Sequence, residues 1–200
     1  MNWHIVQMLR KYGSITAFGF CRKNAESWAQ REGLGKEQMK ELGELMMMSF
    51  HRYIPKNLLF NWTEIDNGSF GKIYKCLYSG TEVAVKEIGR KDSQCVLKTR
   101  MRELFLELRV LVQLDHPRVV QFLGTAMEFP RGGQDPSVDM VFAMCHGGSV
   151  HRAIFGDEKN PNGGAAAKMH LSPEDKIRIG AHVASGLMYL HSKRIIHRLP

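Results

Sequence analysis

Four absences bound what these 200 residues encode. No run of about 18 apolar residues occurs, so no membrane-crossing helix is expected. No Cys-x-x-Cys pair occurs: Cys21, Cys76, Cys95 and Cys145 are scattered, which excludes a disulfide scaffold or a zinc ribbon and suits a reducing compartment. No tract of five like charges occurs. The net charge of +8 is spread along the chain, with nine basic and five acidic residues in 1–60 and the remaining excess after it, so the concentrated basic stripe of a nucleic-acid binder is missing. No acid precedes Glu26. An acid-free, basic start is compatible with a mitochondrial transit peptide, but Arg10 and Lys11 interrupt the apolar run that a secretory signal needs. The reading adopted is an ordinary N-terminal extension of a cytoplasmic protein, with the mitochondrial reading as its alternative. The histidine pairs His146/His151 and His182/His191 lack ligand spacing, and no metal site is expected from them.

What is present is globular composition, 44% hydrophobic and 24% charged, in a length that holds one domain or one and a half. Residues 36–53 place Met39, Leu42, Leu45 or Met46, and Phe50 or Ser49 near a 3–4 spacing, which predicts a packing or docking helix ended by Pro55. From Phe60 the texture becomes β-branched and aromatic. Strands are expected over Trp62 to Ile65, Gly71 to Tyr78, Glu82 to Ile88, Val119 to Ala126 and Val138 to Met144, with an amphipathic helix over 98–114 between the third and fourth. That order gives an α+β layer, an antiparallel sheet with one helix packed on it. A short helix near 149–155, a flexible insertion over 156–168 and a helix from Ser172-Pro173 to about Ser192 follow, with Ser172 as N-cap.

Three features carry chemistry. Gly68-x-x-Gly71 between two strands makes a hairpin tip whose backbone N–H groups can approach an anion closely. By itself the pattern is weak evidence and reads more readily as a plain hairpin turn. Lys86 ends the apolar strand segment Val83-Ala84-Val85, where a lysine on a buried face is costly unless paired. Glu107 falls on the same helix face as Leu104, Leu108, Leu111 and Leu114, so a carboxylate on that apolar face wants a cation.

In this order, and with His197-Arg198 near the end, these residues resemble the eukaryotic protein kinase family over about 60–198. Phe70-Gly71-x-Ile73-Tyr74, His116-Pro117-x-Val119-Val120-x-x-Leu123-Gly124, Gly147-Gly148-Ser149-Val150 and Gly186-Leu187-x-Tyr189-Leu190-His191 look most like its tyrosine-kinase-like (TKL) group, most members of which phosphorylate serine or threonine. The resemblance implies a kinase N-lobe (60–141) of five antiparallel strands and one helix, a hinge (142–148) and a partial helical C-lobe (149–200), after an extension over 1–59. It implies ATP as ligand. Ile65, Ile73 and Ala84 would roof the adenine, Gly68, Ser69, Phe70 and Gly71 would cover the phosphates, and Lys86, oriented by Glu107, would hold the α- and β-phosphates. Phe142 would be the gatekeeper, Ala143, Met144 and Cys145 the hinge, and Leu111, Phe122 and His197 parts of an apolar stack.

Two departures accompany the resemblance. Asp66 stands where the family has the first loop glycine, which should weaken nucleotide binding. After His197-Arg198 the residues are Leu199-Pro200; the catalytic aspartate, the asparagine after it and the Asp-Phe-Gly segment that binds magnesium are not among them. The expectation is a truncated kinase, inactive as this chain and without magnesium ligands, a positioned base alone being worth ~10²–10⁴ in rate. The alternatives are a non-catalytic interaction or regulatory module, with a protein partner over the last helix, which is apolar around much of its girth, and a simple nucleotide-binding remnant.

Overall fold

The structure, a computed structural model, describes residues 3–68, 71–88, 96–129, 136–155 and 171–197. The expected insertion over 156–168, and Ser69, Phe70 and Arg198, lie outside the described residues. The chain forms two compact units: residues 1–114 with 122–144, and residues 115–121 with 145–200.

The first unit is built on five antiparallel strands, β1 (Leu59–Gly68), β2 (Gly71–Tyr78), β3 (Thr81–Ile88), β4 (Phe122–Glu128) and β5 (Ser137–Ala143), in spatial order β1-β2-β3-β5-β4. The link between β2 and β3 is the two-residue turn Ser79-Gly80, both at positive φ (52° and 82°), a backbone whose twist matches that of the strands it joins. β1 carries two register shifts, between Phe60 and Thr63 and between Glu64 and Asp66, which spread ten residues over a shorter partner.

Strand alternation sorts two cores onto the two faces of this sheet. Val83, Val85 and Val141 pack with Ile54, Leu59, Cys76 and Ala126 on one face. Val138 and Met140 turn to the other face, where they meet the helices α1 (Trp3–Arg31), α2 (Lys36–Ser49) and α3 (Val96–Leu111). Leu104 and Leu108 of α3 are buried there with Leu42, Leu45 and Met46 of α2.

The segment read from sequence as an extension is part of this core. Phe18, Cys21, Ala25, Trp28 and Ala29 of α1 are all buried in it. The Trp28 ring lies 5.6 Å from Phe129, Phe18 meets Tyr53 edge-on at 5.4 Å, and the Cys21 thiol donates to the Met127 carbonyl at 3.6 Å. The spacing of these positions is that of one face of a helix. After α2 the chain runs against β4: Ile54 N–H donates to the Thr125 carbonyl at 2.9 Å and the Arg52 guanidinium to the Phe122 carbonyl at 2.7 Å. Gly124 permits that approach, because a Cβ on it would stand 2.0 Å from the Arg52 carbonyl oxygen.

The second unit holds α4 (Val150–Phe155) and α5 (Pro173–Ser192). Ser172 caps α5 reciprocally: its hydroxyl accepts from Asp175 N–H at 3.1 Å, and the Asp175 carboxylate accepts from Ser172 N–H at 3.2 Å. Gly186 and Leu190 are buried, Gly186 against the Arg118 carbonyl. Tyr189 stacks on His116 with ring centres 4.8 Å apart and accepts from Asp115 N–H at 2.9 Å. Ile177, Val183 and Met188 are exposed.

Candidate functional site

The site is written into the register of β2, β3 and β5. Lys86 sits opposite Ile73 on β2 and opposite Met140 on β5; Ala84, two residues earlier and so on the same face, sits opposite Phe142. One face of the sheet therefore carries Lys86, the small Ala84 and three larger apolar side chains, Ile73, Met140 and Phe142, on the side where α3 packs. Val83 and Val85, which alternate with them, are buried in the opposite core and fix which way Lys86 points.

Glu107 completes the arrangement. Its Oε1 lies 2.7 Å from Lys86 Nζ, with the side chains 43% and 22% exposed. Leu104 and Leu108 bury α3 in the core that the helices share with Val138 and Met140, and Glu107, at the margin of that stripe and not in its centre, reaches the lysine. The pairing answers the cost of a half-buried ammonium, and the exposure of Glu107 keeps the pair in a high effective dielectric where it can exchange partners.

The remaining sequence-derived positions are placed as follows. Gly68 and Gly71 face each other across β1 and β2, and Asp66 faces Ile73. Ile65 lies at the second register shift of β1 and is partly exposed. Phe142 meets Phe122 edge-on at 5.6 Å, and Leu111 is partly buried against the core that the helices share with Met140. Ala143 ends β5 and Met144 follows it as the last residue of the first unit, whereas Cys145 and His197, both exposed, belong to the second. Ser69 and Phe70 lie outside the described residues.

Two other thiols have no chemistry to offer. Burial pushes Cys21 and Cys76 up to about 11, so both are protonated at neutral pH. Beside Cys76, the fully buried Asp139 is held by Lys56 at 2.8 Å, and Lys56 also donates to the Ser137 hydroxyl at 2.8 Å. Among the described residues, no group of three His, Cys, Asp or Glu side chains is placed to hold a metal ion, and no helix is long and apolar enough to cross a membrane. The sequence reading missed α1 because it weighed the missing acids there and not the stripe Phe18, Cys21, Ala25, Trp28, whose 3–4 spacing was the available signal.

Comparison with known proteins agrees with this arrangement. A family model described as "Protein tyrosine and serine/threonine kinase" matches residues 60–199. The chain is 26% identical over 189 residues to the cytokinesis protein sepH of Emericella nidulans, covering 93% of this chain and 12% of that protein. It is 28% identical over 131 residues to the dual specificity protein kinase zakA of Dictyostelium discoideum, covering 66% and 15%. It is 33% identical over 141 residues to a "Probable LRR receptor-like serine/threonine-protein kinase" of Arabidopsis thaliana, covering 68% and 12%. The chain spans between 7% and 30% of the length of such relatives. A five-stranded antiparallel sheet, a helix carrying Glu107 against Lys86 and a family match over more than half of the residues lead to one conclusion: the chain belongs to the protein tyrosine and serine/threonine kinase family.

Proposed function

We propose that residues 60–199 supply the nucleotide-binding part of a serine/threonine protein kinase of the tyrosine-kinase-like group. The observation that carries the reading is the Lys86–Glu107 pair at 2.7 Å, on the sheet face that also bears Ile73 and Ala84. In this proposal Lys86 binds the α- and β-phosphates of ATP and Glu107 holds its ammonium in place. Ile73 and Ala84, with Ile65, cover the adenine, whose edge meets the backbone of Ala143, Met144 and Cys145 beside Phe142. The facing backbones of Gly68 and Gly71, with Ser69 and Phe70 between them, close over the phosphates. Small Ala84 leaves room for a ring, and a paired lysine that keeps some exposure suits an anion. Magnesium, which the family uses with ATP, finds no protein cluster among the described residues. The aspartate base and the Asp-Phe-Gly aspartate are not among the 200 residues. A polypeptide of these residues alone is therefore proposed to bind ATP without transferring its γ-phosphate to protein.

Titration with ATP, with and without magnesium, tests this. A charge-assisted hydrogen bond to phosphate is worth ~1.5–3 kcal/mol, so Lys86→Ala should weaken binding by about 10–100-fold. Equal affinity of the two proteins would overturn the assignment. A second reading, a regulatory interaction module, is favoured by the exposed Ile177, Val183 and Met188 of α5. Changing all three to serine should abolish its binding to an intact kinase and leave ATP affinity unchanged; retained binding would exclude that face.

A further inference from the structure

The first unit contains a second concavity, unrelated to the Lys86 face. It is a groove of about 630 Å³ between α1, α2 and α3, within the range of built ligand sites. Its lining is largely apolar: Phe18 of α1, Met46 and Met47 of α2, Phe105 of α3 and Val112 just after α3. On α3 the lining positions Phe105 and Arg109 stand one turn apart, with Val112 following in the turn that closes the helix, while Leu104 and Leu108 face the core and Glu107 reaches Lys86. The helix thus has three working faces among the described residues, and this one lines the groove.

Three features of the groove indicate its occupant. The first is charge. Its rim carries Lys40 and Arg109, which make no ion pair among the described residues, and Arg22, which is paired with Glu26 at 3.0 Å, against one carboxylate, Glu44. The second is the methionines: unbranched thioether side chains adapt to an apolar anchor of irregular shape, as they do where helices are received in grooves. The third is Gly43. It stands in the middle of α2, where glycine weakens a helix relative to alanine, yet an added Cβ would meet nothing within 4 Å. Among the described residues no packing demands glycine there; what its missing side chain does is keep the groove open.

We propose that this groove docks a short amphipathic helix of another protein, with bulky apolar anchors flanked by acidic residues. The apolar anchors fill the space over Met46, Phe105 and Val112, and the flanking carboxylates meet Lys40 and Arg109. A second copy of this chain suits the rim poorly, since the chain carries a net charge of +8. The assignment does not depend on nucleotide binding.

The test uses the full 200-residue chain and three fluorescein-labelled synthetic helical peptides, read by anisotropy. One carries Leu and Phe anchors one turn apart with Glu on the flanks, one has every Glu replaced by Lys, and one has the anchors replaced by Ser. Only the acidic, anchored peptide should bind. Gly43→Leu fills the groove from the solvent side, so it should weaken that binding by at least about tenfold without lowering the unfolding midpoint. The doubly reversed Lys40→Glu, Arg109→Glu protein, altered only at the rim, should lose the acidic peptide and gain the basic one. Equal binding of the acidic and basic peptides, or no effect of Gly43→Leu, would overturn the proposal. So would a groove-dependent dimer in sedimentation that Gly43→Leu dissolves, or displacement of the peptide by decanoate at equal concentration, which would reassign the groove to a small amphiphile.

Discussion

Replacing Gly124 by alanine sets a methyl carbon 2.0 Å from the Arg52 carbonyl oxygen and 3.1 Å from the Ile54 side chain. Real Cβ atoms are essentially never found within 3.0 Å of such a neighbour, so the two strands of backbone must part by at least the 1.0 Å between 2.0 and 3.0 Å. The obstacle is a carbonyl in the Phe50–Arg52 turn, and no rotamer can relieve it. Two hydrogen bonds cross the same gap: Ile54 N–H to Thr125 O at 2.9 Å and the Arg52 guanidinium to Phe122 O at 2.7 Å. A neutral bond is worth roughly 0.5–1.5 kcal/mol net and a charged one roughly 1.5–3, so losing or stretching both costs about 2–4 kcal/mol. With a urea slope near ~2 kcal/mol/M, the midpoint of the transition followed by circular dichroism should fall by about 1–2 M. Gly43→Ala is the matched control: it adds the same methyl to the same unit in open space and should stabilise by about 0.5–1 kcal/mol. If Gly124→Ala unfolds within 0.5 M of the wild type (~1 kcal/mol by the same slope), the close approach of the Arg52 segment to β4 is not real.

Four further outcomes are expected. Trp28→Ala, which empties a site 2% exposed against Phe129, should cost about 3–5 kcal/mol; a loss below about 1 kcal/mol would detach α1 from the core. Thr125→Val should be neutral or stabilising by about 1 kcal/mol, because the buried Thr125 hydroxyl has no hydrogen-bond partner among the described residues; a large destabilisation would reveal a bond the structure lacks. Ser172→Ala should lower α5 stability by about 1 kcal/mol. The cap also sets a pH dependence: the hydrogen bonds from the Ser172 hydroxyl and backbone N–H hold Asp175 below its usual carboxylate range, so its contribution is present above the unfolded pKa of 3.8 and fades as pH falls below it, and a Ser172→Ala protein, which keeps the backbone N–H, should show a shallower acid-side slope. With thiols pushed up to about 11, Cys21 and Cys76 should react slowly with maleimide at pH 7 while exposed Cys145 reacts fast, as peptide mass mapping would show; equal rates would contradict their burial.

How much of this was legible in the sequence depended on whether a signal was local. β2 was read with its observed ends, Gly71 and Tyr78, because turn residues bracket it, and the start of α5 was legible because Ser172, Pro173 and Asp175 act on their own neighbours. Lys86 and Glu107 were paired from 21 residues apart because each carried a charge on an otherwise apolar face, an anomaly that asks for a partner. β1 was read too short, since Leu59 and Phe60 enter the ladder only across register shifts that depend on β2. The place of α1 was not legible: its stripe of Phe18, Cys21, Ala25 and Trp28 shows an apolar face, but what covers that face is Met127, Phe129 and Tyr53, more than twenty residues away along the chain.

The burial of that stripe separates two boundaries that are usually taken as one. The family match begins at residue 60, whereas the cooperative unit begins at least as early as Phe18. A fragment starting at Phe60 would keep every matched residue yet strip Trp28 from Phe129, and Leu45 and Met46 from the buried side of α3. Amide hydrogens of α3 in such a fragment would exchange through local opening, and those of the full chain through unfolding of the whole first unit. The matched segment and the buried core thus divide this chain at different places, and the helix that holds Glu107 packs on residues outside the segment that the family model matches.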